Sequence, residues 1–388
     1  MQPSSEEDLL QATRNIIAIP STAQNPEALQ EALDFIATMI WAKCPDATIE
    51  RFEKGGKPSL LAYRGSQRPE NFRIILNGHL DVVPGKPEQY KAIIKDGKLY
   101  GRGAYDMKAA CVILTDVFCD FVDKVPYQLG LQIVTDEENA GQDGTLHQIE
   151  QGVRADFVIC GECGRSTGVH EIANEAKGMV LAEIGFRGTT AHGAYPWRGD
   201  NAAAKAVAFV QAVHARYPIP KEESDATTMT ITSMSAHGEA PTKIPDSATV
   251  RIDARYVAGD PIFRSKQHFA ALIEELDPNA EIINFHDFSS PLYTSPRNPL
   301  LLALKASAER VEGSTFSLVR RHATSDGRHF GDVGNEACEF GIAGEHQHGD
   351  GEYITLEAFH NYLATMRDFL EKTITAEQKH RHLETFTS

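Results

Sequence analysis

His79 and Asp81 stand two residues apart in Asn77-Gly78-His79-Leu80-Asp81, just past the apolar run Phe72-Arg73-Ile74-Ile75-Leu76. In an extended chain, side chains at i and i+2 face the same way. An imidazole with a carboxylate behind it is the pair that a metal site uses to bind through one ring nitrogen and steady the other. Further acids fall at matching places. Glu137-Glu138 follow the run 131–135, Glu162 follows 156–160, and Asp106 closes Gly101-Arg102-Gly103-Ala104-Tyr105-Asp106 just before the long apolar stretch 107–122. A last cluster, Glu345-His346-Gln347-His348-Gly349-Asp350-Gly351-Glu352, can supply a second histidine, from either His346 or His348. Two histidines and three carboxylates suit two borderline cations such as zinc, bridged by one carboxylate. Two such ions, about 3.5–4 Å apart, clamp a water and polarise a carbonyl. Glu137 and Glu138 are neighbours and point apart in an extended chain. One can therefore bind metal while the other faces the water as general base.

The elements that must position these residues are legible as periodicity. Ser4-x-x-Glu7 reads as a capping box opening a first helix, and Asn25-Pro26 opens a second through about Trp41. Residues 59–63, 72–77, 131–135 and 156–160 read as buried strands, and 107–122 as a buried helix. Asp96-Gly97 between half-apolar runs signals a hairpin. Beyond about 175 the order becomes β-α-β-β-α-β, with strands at 180–186, 227–234, 248–256 and 281–286 and helices at 201–216 and 260–276. Such an order suits a small sheet with helices on one face. A helix at 297–312, strands near 316–320 and 338–342, and a last helix from about 355 to 372 follow, with a polar tail expected to fray. The expected fold class is α/β: a catalytic domain of residues 1–176 and 291–388 with an inserted α+β domain at 177–290. In open α/β sheets, ligands gather beyond the carboxyl ends of the strands, where the acids and histidines lie.

At 388 residues the chain is long for one core, which agrees with two domains. A net charge of −16 without a long basic block argues against nucleic acid and anionic membrane as partners. No run of about 18 apolar residues suggests a membrane span. The first residues carry no basic and apolar leader pattern, and the six cysteines are scattered, so a reducing cytoplasm is expected. Cys160 and Cys163 form a single C-x-x-C. Without a second pair or a His-x-His at zinc spacing, it reads as structural.

The segments NGHLDVVP, YGRGAYDMKAA, TDEENAGQDGT, GEC, AHGAYPWRGDNA, TSDGRHF and HQHGDGE, in this order, resemble those of the M20 metallopeptidases and amidohydrolases across essentially the whole chain. The likeness leans toward the branch of succinyl-diaminopimelate desuccinylase and acetylornithine deacetylase. It implies a zinc-exopeptidase-like catalytic domain with a ferredoxin-like lid and dimerisation domain. It implies two zinc ions, with cobalt or manganese able to substitute, on His79, Asp106, Glu138, Glu162 and His348, with Asp106 bridging. Asp81 would orient His79, and Glu137 would be the general base toward a metal-bridged water. His192, in AHGAYP, would reach a partner subunit's site in a homodimer and hold the oxyanion. Arg255 and Thr324 would contact substrate. The implied reaction is hydrolysis of the amide bond of a small N-acyl amino acid in amino-acid biosynthesis.

Some positions depart from that branch. Lys177-Gly178 stands where the desuccinylases carry Arg-Gly, and Thr242 replaces an asparagine. Lysine does not match arginine in bidentate recognition of a carboxylate. These changes leave a dipeptidase or an aminoacylase open as alternatives. A non-catalytic, ligand-binding relative would be expected to have lost the base or the ligands. Gly164-Arg165-Ser166-Thr167-Gly168 matches G-x-S-x-G, but the residues after it make a poor helix start, so a serine nucleophile is not favoured.

Overall fold

The computed structural model describes residues 4–387 apart from 140, 237, 239 and 324, with side chains up to residue 375. The chain divides into two compact units. One comprises Met1–Glu175, Leu292–Val319 and Ser325–Ser388; the other comprises Ala176–Pro291 and Arg320–Thr324.

The first unit is built on a mixed sheet. Its path runs Ala47–Lys54, Lys57–Arg64, Leu129–Val134, Phe72–His79, Ala155–Cys160, Glu336–Glu339, Glu171–Ala176 and Leu292–Tyr293. Phe72–His79 is parallel to both Leu129–Val134 and Ala155–Cys160, and the latter is parallel to Glu336–Glu339. Their carboxyl ends therefore share one edge. His79 stands opposite Val134, Asn77 opposite Cys160, and Cys160 opposite Glu339. Phe72–His79 and Leu129–Val134 are buried almost throughout, as parallel strands covered on both faces must be. The helix Lys108–Phe121 is buried nearly all round and packs on Phe72–His79 and on the final helix, Leu356–Thr387. That burial explains why its sequence is mostly apolar, with the buried Lys108 and Asp116 each paired.

A smaller sheet carries the last ligand loop. Its order is Gly344–Glu345, Tyr353–Thr355, Lys98–Tyr100 and Ile93–Lys95. Tyr353 pairs with Tyr100, and Gly344 with Ile354. Asp96 and Gly97 both have positive φ, +50° and +71°, the hairpin geometry their types favour. Residues 346–352 are thereby tied to 101–106, some 250 residues earlier in sequence.

The second unit is a four-stranded antiparallel sheet of order Thr228–Ala236, Ser247–Tyr256, Gly178–Arg187 and Glu281–Ser289. Val180, Ala182, Ile184 and Phe186 alternate onto the face covered by the helices Ala202–Arg216 and Lys266–Leu276, and pack with Phe209 and Phe269. The fold is the expected α/β core with an inserted α+β sheet domain of β-α-β-β-α-β order.

Local differences have local causes. The first cap is Ser5 with Asp8, not Ser4 with Glu7, because Ser4 is drawn away to donate to Asp116 at 2.7 Å. The stretch 260–276 is not one helix. Ser265 caps a helix at Lys266 after a separate turn at Pro261–Phe263. The strand expected at 338–342 is Glu336–Glu339, and the final helix continues to Thr387 through the polar tail. Extending an established helix costs far less than starting one.

Candidate metal centre

Asp106 is the hub of the cluster. Its Oδ1 lies 3.1 Å from His79 Nε2, and its Oδ2 lies 3.1 Å from His348 Nε2. Each side then gains a second carboxylate. Glu162 Oε2 is 3.6 Å from His79 Nε2, and Glu138 Oε1 is 3.1 Å from His348 Nε2. Gln347 Nε2 donates to Asp106 Oδ2 at 2.8 Å. The donor atoms form three groups, each within 4.8 Å: His79 with Glu137 and Glu162, Asp106 with Glu162 and Cys163, and Asp106 with Glu138 and His348.

Three loop starts, at His79, Glu137 and Glu162, converge because the parallel strands Phe72–His79, Leu129–Val134 and Ala155–Cys160 end together. His79 closes its strand, and its Nδ1 faces the Asp81 carbonyl at 3.0 Å and the Asp81 carboxylate at 3.4 Å. The Nδ1 proton is thereby held there, leaving Nε2 directed at Asp106. The Asp81 carboxylate has a second task. Its two oxygens accept the backbone N–H groups of Glu137 (3.2 Å) and Glu138 (2.9 Å), at the start of the short turn Glu137–Asn139. One buried acid thus fixes a ring and two neighbouring glutamates. Glu162 follows Ala155–Cys160, and Gly341 passes against its backbone. A Cβ at 341 would stand 2.4 Å from the Glu162 carbonyl, so only glycine fits this approach.

The loop bearing Asp106 is held from the far end of the chain. Glu352 is buried, and its Oε1 accepts the N–H groups of Gly103 (2.9 Å), Tyr105 (2.9 Å) and Asp106 (3.1 Å). Its other oxygen pairs with Arg102, whose Nη2 donates to the His348 carbonyl at 3.0 Å. Gly103, with φ +86°, makes the turn that presents these amides. Glu352→Ala is expected to cost about 3–5 kcal/mol, because it strands a buried guanidinium and three amides. Urea unfolding measures it. A loss below about 1 kcal/mol, the worth of an exposed pair, would show that this network does not hold the loop.

His346 and His348 both have left-handed φ, +62° and +60°. This conformation is uncommon for residues with a Cβ, and it clusters at functional loops. The turn directs His348 to Asp106 and Glu138, whereas the His346 ring lies 6.0 Å from the ring of Tyr353.

The cluster has an unusual electrostatic balance. Burial and the neighbouring Glu162 push the Glu137 carboxyl well above the usual carboxylate range. Burial and Asp106 raise Glu162. Asp106 is also buried, but hydrogen bonds from His348 and His79 hold its carboxyl well below that range. His348 is pushed up to about 10 by Asp106 and Glu138. Burial opposes the charged form of His79, yet Asp106, Asp81 and Glu162 together raise it well above an ordinary histidine. The two imidazoles supply the positive charge at contact distance from these carboxylates. Imidazole and carboxylate donors around one shared carboxylate are the chemistry of a dinuclear divalent-cation site.

His192 and Arg255, also anticipated, lie in the second unit. His192 is on an exposed loop, where its Nδ1 accepts the Ala194 N–H at 3.1 Å, so the neutral ring carries its proton on Nε2. Arg255 pairs in bidentate fashion with Asp253, at 2.7 and 3.2 Å. Thr324 lies outside the described residues. Sequence reading missed Arg102, Gln347, the anchoring task of Glu352 and the place of Cys163. The four-residue spacing from His348 to Glu352 was the one trace of the anchor. Ser166 is followed by the strand Glu171–Ala176 rather than by a helix, so it lacks the strand–turn–helix of a nucleophile elbow.

The sequence profile of peptidase family M20/M25/M40 matches residues 75–372. A succinyl-diaminopimelate desuccinylase of Hahella chejuensis is 27% identical over 380 residues, covering 94% of this chain and 97% of its own. One from Helicobacter pylori (strain Shi470) is 29% identical over 377 residues, covering 90% and 95%. The crystal structure of Sso-CP2, an M20 family metallo-carboxypeptidase from Sulfolobus solfataricus, superposes with a TM-score of 0.76 over 94% of this chain and 98% of that one. At 18% identity, it is a likeness of fold.

Proposed function

Because this chain belongs to peptidase family M20/M25/M40 and is a metal-dependent hydrolase, we propose that it cleaves the amide bond of a small N-acyl amino acid, of the succinyl-diaminopimelate or acetylornithine type. The observation that carries the reading is Asp106, whose two oxygens each face one histidine at 3.1 Å, with one further glutamate on either side. In this reading His79, Asp106 and Glu162 hold one cation, and Asp106, Glu138 and His348 hold the other. Zinc suits these donors, with cobalt or manganese able to replace it. When bound, the pair supplies Lewis acidity for the scissile carbonyl and an acidified water.

The chain's own groups do the rest. Glu137 takes a proton from the attacking water and returns it to the leaving amine. Asp81 keeps the Nδ1 proton of His79 in place and holds the amides of Glu137 and Glu138, so that base and ligand leave the same turn in fixed directions. His192, with its proton on Nε2, donates to the oxyanion of the tetrahedral intermediate. It does so from a partner chain in a homodimer, a role supported by its exposed loop, where Tyr195 and Trp197 also face solvent. Arg255 and Thr324 contact the substrate. The protein works in the cytoplasm, in amino-acid biosynthesis. Among the described residues no helix is long and apolar enough to cross a membrane.

A second reading, a dipeptidase or aminoacylase, is favoured by one observation. Lys177 is buried and spends its ammonium on the carbonyls of Ser224 (2.8 Å) and Ala226 (2.7 Å), while Arg255 is neutralised by Asp253. Neither cation is poised for a second substrate carboxylate. Amine release from N-succinyl-diaminopimelate, N-acetylornithine, other N-acyl amino acids and dipeptides, each with and without chelator, separates the readings. Chelator-sensitive cleavage of either of the first two supports the first. Cleavage confined to the others supports the second, and no cleavage by metal-loaded protein leaves a ligand-binding relative.

A further inference from the structure

Gln347 and His348 are neighbours in sequence, yet both side chains reach the same oxygen. Gln347 Nε2 stands 2.8 Å from Asp106 Oδ2, and His348 Nε2 stands 3.1 Å from it. Neighbours in an extended chain point to opposite sides, so the backbone has to turn between them. The His346 carbonyl accepts the Gly349 N–H at 2.8 Å, which closes a tight turn with Gln347 and His348 at its two corners. The left-handed φ of His348, +60°, belongs to the second corner of such a turn. The turn is also fastened from outside. The Gly349 carbonyl accepts Gln89 Nε2, and the His348 carbonyl accepts Arg102 Nη2, each at 3.0 Å.

Donor chemistry decides which of these groups still bond Asp106 once cations are bound. An imidazole binds a cation through the lone pair of a ring nitrogen. His79 and His348 cannot give Nε2 to a cation and also donate an Nε2 proton to Asp106. Gln347 has no such conflict. An ionised carboxylate accepts only, so the amide nitrogen is the atom of Gln347 that faces it, and that nitrogen remains a donor. Each carboxylate oxygen has two lone-pair sites, so Oδ2 can accept the amide and still serve a cation. Among the described residues, no side-chain N–H other than these three bonds Asp106. Gln347 itself is exposed, on the solvent side of a buried acid.

We infer that Gln347 is a positioning residue for the shared carboxylate: its amide holds Asp106 Oδ2 toward the cation of Glu138 and His348. The inference rests on the two-cation reading above. Metal ligands are commonly steadied by such outer hydrogen bonds, and losing the supporting group weakens the cation. Oδ1 faces His79, so the cation on that side should feel the loss least.

The test uses the full chain, carrying nitrogen-15 in its glutamine side chains, stripped of metal and loaded with Zn2+. Gln347→Met keeps the length and removes the N–H. It also identifies the Gln347 signal by its loss. In the zinc-loaded native protein that amide is expected to be protected from exchange with water, although the residue is exposed. Calorimetric titration with Zn2+ then reads two binding steps. In Gln347→Met one step should weaken on the order of tenfold while the other is unchanged. A Gln347 amide that exchanges as fast as free glutamine overturns the inference, and so do two unchanged steps or two steps weakened alike. Each of those results leaves the two-cation reading intact. Native protein that binds fewer than two zinc ions removes that reading and the inference with it.

Discussion

Glu137→Gln is expected to lower turnover by about a hundred- to ten-thousand-fold, the usual worth of a positioned general base. The substitution is close to isosteric, and the backbone N–H of residue 137 would still reach Asp81. What it loses is the ability to take a proton. The measurement is kcat alongside metal content, because the geometry allows two roles. Glu137 lies within 4.8 Å of His79 and Glu162 and could itself bind a cation. Two cations retained with turnover gone identifies a base. One cation lost identifies a ligand. A near-native kcat removes Glu137 from the mechanism altogether.

Asp106→Asn should be the most damaging change at the cation site. The carboxylate is buried and faces both histidines, so one substitution weakens both halves of the centre. The amide keeps the shape but gives up the charge and one acceptor oxygen. Losing a supporting residue beside a ligand costs about 10–100-fold in metal affinity. Losing the shared ligand should exceed that, and activity should fall with it. Dialysed protein, analysed for metal and titrated against a chromophoric chelator, gives the answer. A variant that still holds two cations after dialysis contradicts a bridging role for Asp106.

Much of this was legible before any coordinates. Buried parallel strands announce themselves as largely apolar runs, as in Phe72–Leu76, interrupted by Arg73, and Leu129–Val134, interrupted by Gln132, because both faces are covered. In the strand Gly178–Arg187 the four residues from Met179 to Ala182 are all apolar, and only the burial alternates, because one face carries helices. Once the runs are strands, the residues just past their carboxyl ends form a short roster. Glu137, Glu138 and Glu162 are in it, and His79 is the last residue of its own strand.

Tertiary structure decided what happens within loops and between distant segments. Sequence does not say that His346 and His348 take left-handed backbone, since either histidine could adopt ordinary φ, and that turn alone directs His348 toward Asp106. Nor does it say that Glu352 closes on the amides of residues 103, 105 and 106, because no local pattern encodes a contact across some 250 residues. Arg320–Thr324 joins the second unit although it follows the return to the first. Periodicity records which side of an element is buried. The direction of a loop side chain depends on the packing that surrounds it, and that packing exists only when the chain is folded.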